Sequence, residues 1–115
     1  MKEIIAIIRP NRWEATKKGL EEAGFLAFTQ RRVFGRGMQS GLKYLKPGTK
    51  ELSGISYIPK RMIHIVVPAE DVEKVVSIIQ ELNRTPAIGD GKIFICPMEE
   101  VVRIRTQETG VAALA

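Results

Sequence analysis

The chain has 115 residues, 44% of them apolar and 27% charged, a size and balance that suit one folded domain and exclude a disordered or fibrous chain. One cysteine and one histidine exclude a disulfide framework and a Cys/His metal cluster, and fit a reducing cytoplasm. The net charge of +5, with a pI of about 9.6, suggests an anionic partner, although a solvated basic surface explains it equally simply.

Residues 2–9, Lys-Glu-Ile-Ile-Ala-Ile-Ile-Arg, read as a first strand with almost no alternation. The start Met1-Lys2-Glu3 runs straight into it, so no signal peptide is expected. Pro10 stops the strand. Asn11 is placed to cap a helix, with Glu14 three residues on as its reciprocal partner. Trp13, Thr16, Leu20 and Ala23 share one side of that helix, and Gly24 closes it. Phe25 to Phe34 reads as a second strand. Residues 35–57, "GRGMQSGLKYLKPGTKELSGISY", have no sustained period and form a long loop, a length associated with function. Met62 to Val67 is a third strand, ended by Pro68. A second helix begins at Asp71, with Val72, Val75, Val76 and Ile79 on one face. Residues 83–91 turn the chain, Lys92 to Cys96 is a fourth strand, Val101 to Arg105 is a short extended piece, and the tail from Gln107 is expected to be loose.

The order is strand–helix–strand, loop, strand–helix–strand. It predicts an α+β, ferredoxin-like fold with two helices on one face of a four-stranded antiparallel sheet. Two helices cover one face only, yet Ile4-Ile5-Ala6-Ile7-Ile8 and Ile65-Val66-Val67 put apolar groups on both. Each buried Ile or Val contributes roughly 1.5–3 kcal/mol. Other copies of the chain are the simplest cover for the second face, so an obligate oligomer is expected. No apolar run approaches the roughly 20 residues of a membrane helix, and no membrane insertion is expected.

Enzyme constellations are sparse. His64 reads as a packed or surface residue, Cys96 as a small core residue and Trp13 as a packing anchor, and Glu99 and Glu100 are adjacent rather than opposed. No nucleophile–base pair is visible, so the chain is not expected to be an enzyme. Anion-binding features are richer. In "IGDGKIF", residues 88–94, the glycines serve either a tight turn or a phosphate cradle beside Lys92. Gly35 and Gly37 bracket Arg36. Arg103 and Arg105, two apart in an extended segment, would point to one face about 7 Å apart. Guanidinium forks suit phosphate, and a charged strand edge is the equal alternative.

Several separated pieces resemble the P-II nitrogen-regulatory proteins: "IIAIIRP", "FGRGMQSG", "YIPKRMIHIVVP", "TPAIGDGKIF" and "VVRIRT". The resemblance spans nearly the whole chain as a single domain of residues 1–115, with 35–57 as the T-loop, 83–91 as the B-loop and 101–115 as the C-terminal segment. It implies a trimer, homomeric or mixed with a paralogue, whose inter-subunit clefts bind ATP or ADP and, with Mg²⁺-ATP, 2-oxoglutarate. Carried over by position, Ile7, Thr29 and Val66 would line the adenine pocket, with Ile88 also at the nucleotide. Gly35, Gly37, Gly89 and Gly91 would let backbone approach the phosphates. Lys92 would neutralise them, as would Arg103 and Arg105 from a neighbouring subunit. Gln39 would ligate Mg²⁺ and, with Gly89, hold 2-oxoglutarate. Lys60 would pair with one of its carboxylates. The turn and the cradle would then be one object.

Departures are informative. The loop apex "LKPGTKELSG" lacks the usual nucleotidyl-accepting tyrosine, Met38 and Ser40 flank Gln39 where Arg and Lys are usual, and Pro86 replaces a B-loop glycine. The chain looks most like the second paralogue of the nitrogenase-associated branch from archaea and anaerobic bacteria. That implies a cytoplasmic, non-enzymatic switch acting directly on the dinitrogenase component. The alternatives are a general P-II protein acting on an ammonium channel or glutamine synthetase and, remotely, an RNA-binding ferredoxin-like module. Against the last, the strands offer aliphatic faces with Phe94 nearly alone, and no nucleic-acid partner is expected.

Overall fold

The computed structural model of the chain describes residues 1–36 and 57–115. Within them the order is strand β1 (Lys2–Ile8), helix α1 (Trp13–Glu22), strand β2 (Thr29–Gly35), strand β3 (Ile58–Val67), helix α2 (Val72–Asn83) and strand β4 (Gly91–Pro97). The sheet order is β2-β3-β1-β4, antiparallel at each pairing. Strands β1 and β3 are the inner pair, and each strand–helix–strand unit skips over a neighbour. This is the expected ferredoxin-like α+β fold. Gly37, Gln39, Met38, Ser40 and the apex of the expected T-loop lie outside the described residues.

The continuous apolar run of β1 divides by strand period. Ile4, Ala6 and Ile8 face the helices with Ile63, Ile65 and Val67 of β3, and all six are buried. Trp13 and Leu20 of α1 and Val75 and Ile79 of α2 complete this core. The helices meet where Gly19 leaves no side chain: a Cβ there would come 2.5 Å from Leu82 Cδ1. Beside it Asn83 Nδ2 donates to Thr16 Oγ1 (2.9 Å) and to Ile79 O (2.8 Å), tying the C-terminal end of α2 to α1.

Several boundaries differ from the sequence expectation for physical reasons. Asn11 is not a cap. Pro10–Arg12 form a single 3-10 turn, Arg12 N donates to Arg9 O (3.1 Å), and α1 starts at Trp13 without a side-chain cap. Strand β2 starts at Thr29, not Phe25, because Phe25 is used to end α1. Its amide bonds to Leu20 O (2.9 Å) while Gly24, at φ +92°, bonds to Glu21 O (3.0 Å). Strand β3 is longer than expected and includes Pro59. Its pairing with β1 ends at Arg61↔Ile8, so Pro59 has a strand neighbour on one side only. Helix α2 follows a 3-10 turn at Ala69–Asp71.

The C-terminal segment corrects two expectations. Val101 to Arg105 is not extended: Val102 bridges to Thr109, and Gln107, at φ +62°, donates to Arg103 O (2.8 Å). The chain reverses between Arg103 and Thr109, so Arg103 and Arg105 do not project from one strand face. The tail is folded rather than loose. It makes a 3-10 turn at Gly110–Ala113, and Gly110 N bonds to Val101 O (3.0 Å) and Glu100 Oε1 (3.0 Å).

Candidate functional site

The second face of the sheet carries no helix among the described residues. By register it consists of rows running across the strands: Thr29–His64–Ile5–Phe94, and Arg31–Met62–Ile7–Lys92. Val66, Glu3 and Cys96 form the next row. Ile5, Ile7, Met62 and Val66 are only partly buried there, and Phe94 is 49% exposed. Cys96, expected in the core, is half-buried on this face. His64 Nε2 lies 2.9 Å from Glu3 Oε2.

One end of this face is charged. Lys60 of β3 and Arg9, just after β1, both reach toward residues 84–90, the connection from α2 to β4. Lys60 Nζ donates to Gly89 O (2.8 Å), and Arg9 Nη2 donates to Ile88 O (2.7 Å). Arg9 Nη1 also pairs with Asp90 Oδ1 (2.8 Å). Asp90 in turn accepts from Thr85 Oγ1 (2.6 Å) and from Thr85 N (2.6 Å), while Ala87 N donates to Thr85 Oγ1 (3.1 Å). The Thr85 hydroxyl and amide hold the Asp90 carboxyl below its ordinary range, and Arg9 assists. Partial burial, then the neighbouring Arg9, push Lys60 below its ordinary value, and Asp90 offsets only part of this. Two cations share one carboxylate, so this corner has spare positive charge for an anion.

Glycine is required here for two separate reasons. Gly91, at φ +114°, passes so close to β1 that a Cβ would sit 1.7 Å from Ile7 O. Gly89, at φ +100°, lies against the cations, its Cβ position 3.5 Å from Arg9 Nη2 and 3.9 Å from Lys60 Nζ. "GDG" is therefore not a hairpin turn. It is a helix-to-strand connection whose backbone is pressed against β1 and two cationic side chains. A cleft of about 400 Å³ opens on the helix side of β4, between α2 residues Val76, Ile79 and Asn83 and Ile93 and Ile95, and reaches Asp90, Gly91 and Lys92 at one end.

The structure sorts the sequence-predicted residues into three groups. Ile7, Gly35, Lys60, Ile88, Gly89, Gly91 and Lys92 share the end of the sheet beside residues 84–90. Thr29 and Val66 share the same face but not the same end: Val66 is four residues along β3 from Met62, the partner of Ile7, or about 13 Å at strand rise. Arg103 and Arg105 stand apart in the C-terminal segment. Arg103 Nη1 pairs with Glu108 (2.8 Å), and Nη2 bonds to Ala112 O (3.2 Å) and to Ala115 O. Among the described residues, every backbone bond of the segment beyond Met98 closes on the segment itself. Gln39 and Gly37 lie outside the described residues.

Arg9, Thr85 and Asp90 were not singled out from the sequence. No local signal marks them, because they meet only through the β1–β4 register. Pairing the last residue of β1 with the first of β4, Ile8↔Gly91, sets Arg9 beside Asp90. The expected loop at 83–91 is shorter at both ends, since Asn83 is still helical and Gly91 already belongs to β4. The glycine cradle and the cations suit a phosphate or carboxylate ligand. Among the described residues no group of three or more His, Cys, Asp or Glu side chains could hold a metal ion. No helix among them is long and apolar enough to cross a membrane.

The nitrogen regulatory protein P-II family model matches residues 1–108. The "Nitrogen fixation nifHD region GlnB-like protein 2" of Methanobacterium ivanovii is 49% identical over 121 residues, covering 99% of each chain. The protein of the same name from Methanothermococcus thermolithotrophicus is 48% identical over 126 residues, covering 99% of this chain and 98% of its own. The "Nitrogen regulatory protein P-II 2" of Methanothermobacter thermautotrophicus is 48% identical over 118 residues, covering 99% of this chain and 97% of its own.

Proposed function

The chain belongs to the nitrogen regulatory protein P-II family, and on that premise we propose that it is a non-enzymatic sensor of adenine nucleotide and 2-oxoglutarate that controls nitrogenase by direct contact. The observation that carries this reading is the braced 84–90 connection, which holds Gly89 against Lys60 and Arg9 and Gly91 against β1, with Lys92 next in the chain. The phosphates of ATP or ADP approach the backbone at Gly89 and Gly91, and Lys92 balances their charge. Lys60 exchanges the Gly89 carbonyl for a carboxylate of 2-oxoglutarate, which relieves the cost of a partly buried cation. Gln39 would hold Mg²⁺, which would supply positive charge to balance the phosphates and the 2-oxoglutarate carboxylates.

The separation of Thr29 and Val66 from Ile7 along the sheet supports a cleft shared between two subunits of a trimer. One copy supplies the B-loop end, another the far end of its sheet. Arg103 and Arg105 belong to a C-terminal segment whose backbone bonds beyond Met98 are internal among the described residues, which suits the same arrangement. The nifHD-region names of the relatives support the link to nitrogen fixation.

A ligand moves a target equilibrium only through its different affinity for the free and bound states. Immobilised protein in extracts of nitrogen-fixing cells should retain the dinitrogenase component and release it on addition of Mg²⁺-ATP with 2-oxoglutarate. Retention of an ammonium channel or glutamine synthetase instead would overturn the nitrogenase assignment.

A further inference from the structure

On the helix side of the sheet, away from the corner described above, two arginines stand directly opposite each other. Arg32 of β2 and Arg61 of β3 are cross-strand partners. Their Cα atoms are therefore about 5 Å apart, a like-charge pairing that is unfavourable unless something anionic lies between. Among the described residues neither has a carboxylate within 4.0 Å, and neither has Arg12. The acid on the first turn of α1, Glu14, is committed to Lys17 (3.6 Å).

Charge that merely guards a sheet edge needs no particular shape. This pair is shaped. Arg61 is on an inner strand, its guanidinium lies 5.5 Å from the centroid of the Trp13 ring, and Nη1 donates to Gln30 Oε1 (2.5 Å). Trp13 is itself fixed edge-on against Phe28, with centroids 6.0 Å apart. Arg61 Nε is buried and has no hydrogen-bond partner among the described residues. The fork is thus stacked and pre-oriented, and ordering it on binding costs little. Arg32 is exposed beside it, and Arg12 follows at the start of α1, whose leading turn packs on β3.

We propose that the Arg12–Arg32–Arg61 face is a docking surface for a carboxylate-rich segment of a partner protein. It lies at the edge strand β2, with Arg12 and Arg32 both exposed. Single exposed ion pairs contribute about 0–1 kcal/mol. Affinity must therefore come from several carboxylates on one chain meeting several forks. Three cations are too few for a nucleic-acid footprint, where binding draws on about six to ten phosphates.

Trp13 is the only tryptophan of the chain and sits beneath the surface, so its emission reports occupancy. Octaglutamate titrated into the full-length protein at low salt should shift Trp13 emission saturably, and added salt should reverse the shift. Arg32→Gln leaves the Arg61–Trp13 stack in place and should weaken the peptide by about threefold to fivefold. Arg61→Lys, which keeps the charge but loses the fork, should weaken it similarly. ATP titration should be unchanged in both, confirming the fold. Absence of a peptide response, parental affinity in both variants, or a stronger response to inorganic phosphate or to a short RNA would each overturn the proposal.

Discussion

Asp90 is the residue on which residues 84–90 converge. It takes one guanidinium, one hydroxyl and one amide, and through Thr85 it fixes the connection that carries Gly89. Its carboxyl is held below the ordinary value of 3.8. The sign follows directly: the stabilisation is complete above 3.8 and is lost as pH falls through the lower folded value. The Thr85 amide resonance should therefore stay unmoved from neutral pH down to about 4 and shift only below it. A midpoint at or above 3.8 would contradict the brace. Lys60 is the complementary case. Its charge is disfavoured by burial and by Arg9, so it is poised to accept a carboxylate. Lys60→Ala should abolish 2-oxoglutarate binding in calorimetry while ATP still binds. Full retention of 2-oxoglutarate affinity would remove Lys60 from the site.

At the scale of elements, the strand–helix–strand repeats were legible because period and punctuation agreed. The i, i+3, i+4, i+7 valines and isoleucine of α2 and the closing Gly24 of α1 sit as the sequence implied. The misses came where tertiary pairing overrode local signals. Strand β3 extends through Pro59 because β2 supplies a partner, which no local pattern reveals. Arg103 and Arg105 alternate like strand residues, yet the Val102–Thr109 bridge reverses the chain between them. The cradle was legible as glycines and lysines; its brace was not, since Arg9 and Asp90 lie 81 residues apart and meet only through the β1–β4 register. That register gives Gly91 its strict requirement. Gly91→Ala faces both a left-handed φ, worth about 1–3 kcal/mol, and a contact of 1.7 Å with Ile7 O. Urea denaturation should show at least that loss. A variant as stable as the parent would mean that β4 can move off β1.

At the scale of the whole molecule, the sheet has one face sealed by helices and one that is apolar and, among the described residues, uncovered. The mismatch between both-sided apolar strands and one-sided helices is legible in the amino-acid pattern alone, and the partly buried Ile5, Ile7 and Met62 with the half-exposed Phe94 give it a location. Burying such side chains against other copies contributes roughly 1.5–3 kcal/mol each. We expect a trimer, and Ile5→Asp, which sets a carboxylate between His64 and Phe94, should yield monomers in sedimentation velocity. An intact trimer in that variant would mean that the face is not the interface. On the proposed ligand site assembly matters to function, because Ile7 and Val66 are set about 13 Å apart along the sheet of one chain. The most direct test is calorimetric titration of the purified protein with 2-oxoglutarate, with and without Mg²⁺-ATP. Saturable binding only when Mg²⁺-ATP is present is the predicted result; binding that is independent of nucleotide, or absent in both conditions, would contradict the nucleotide-gated sensor.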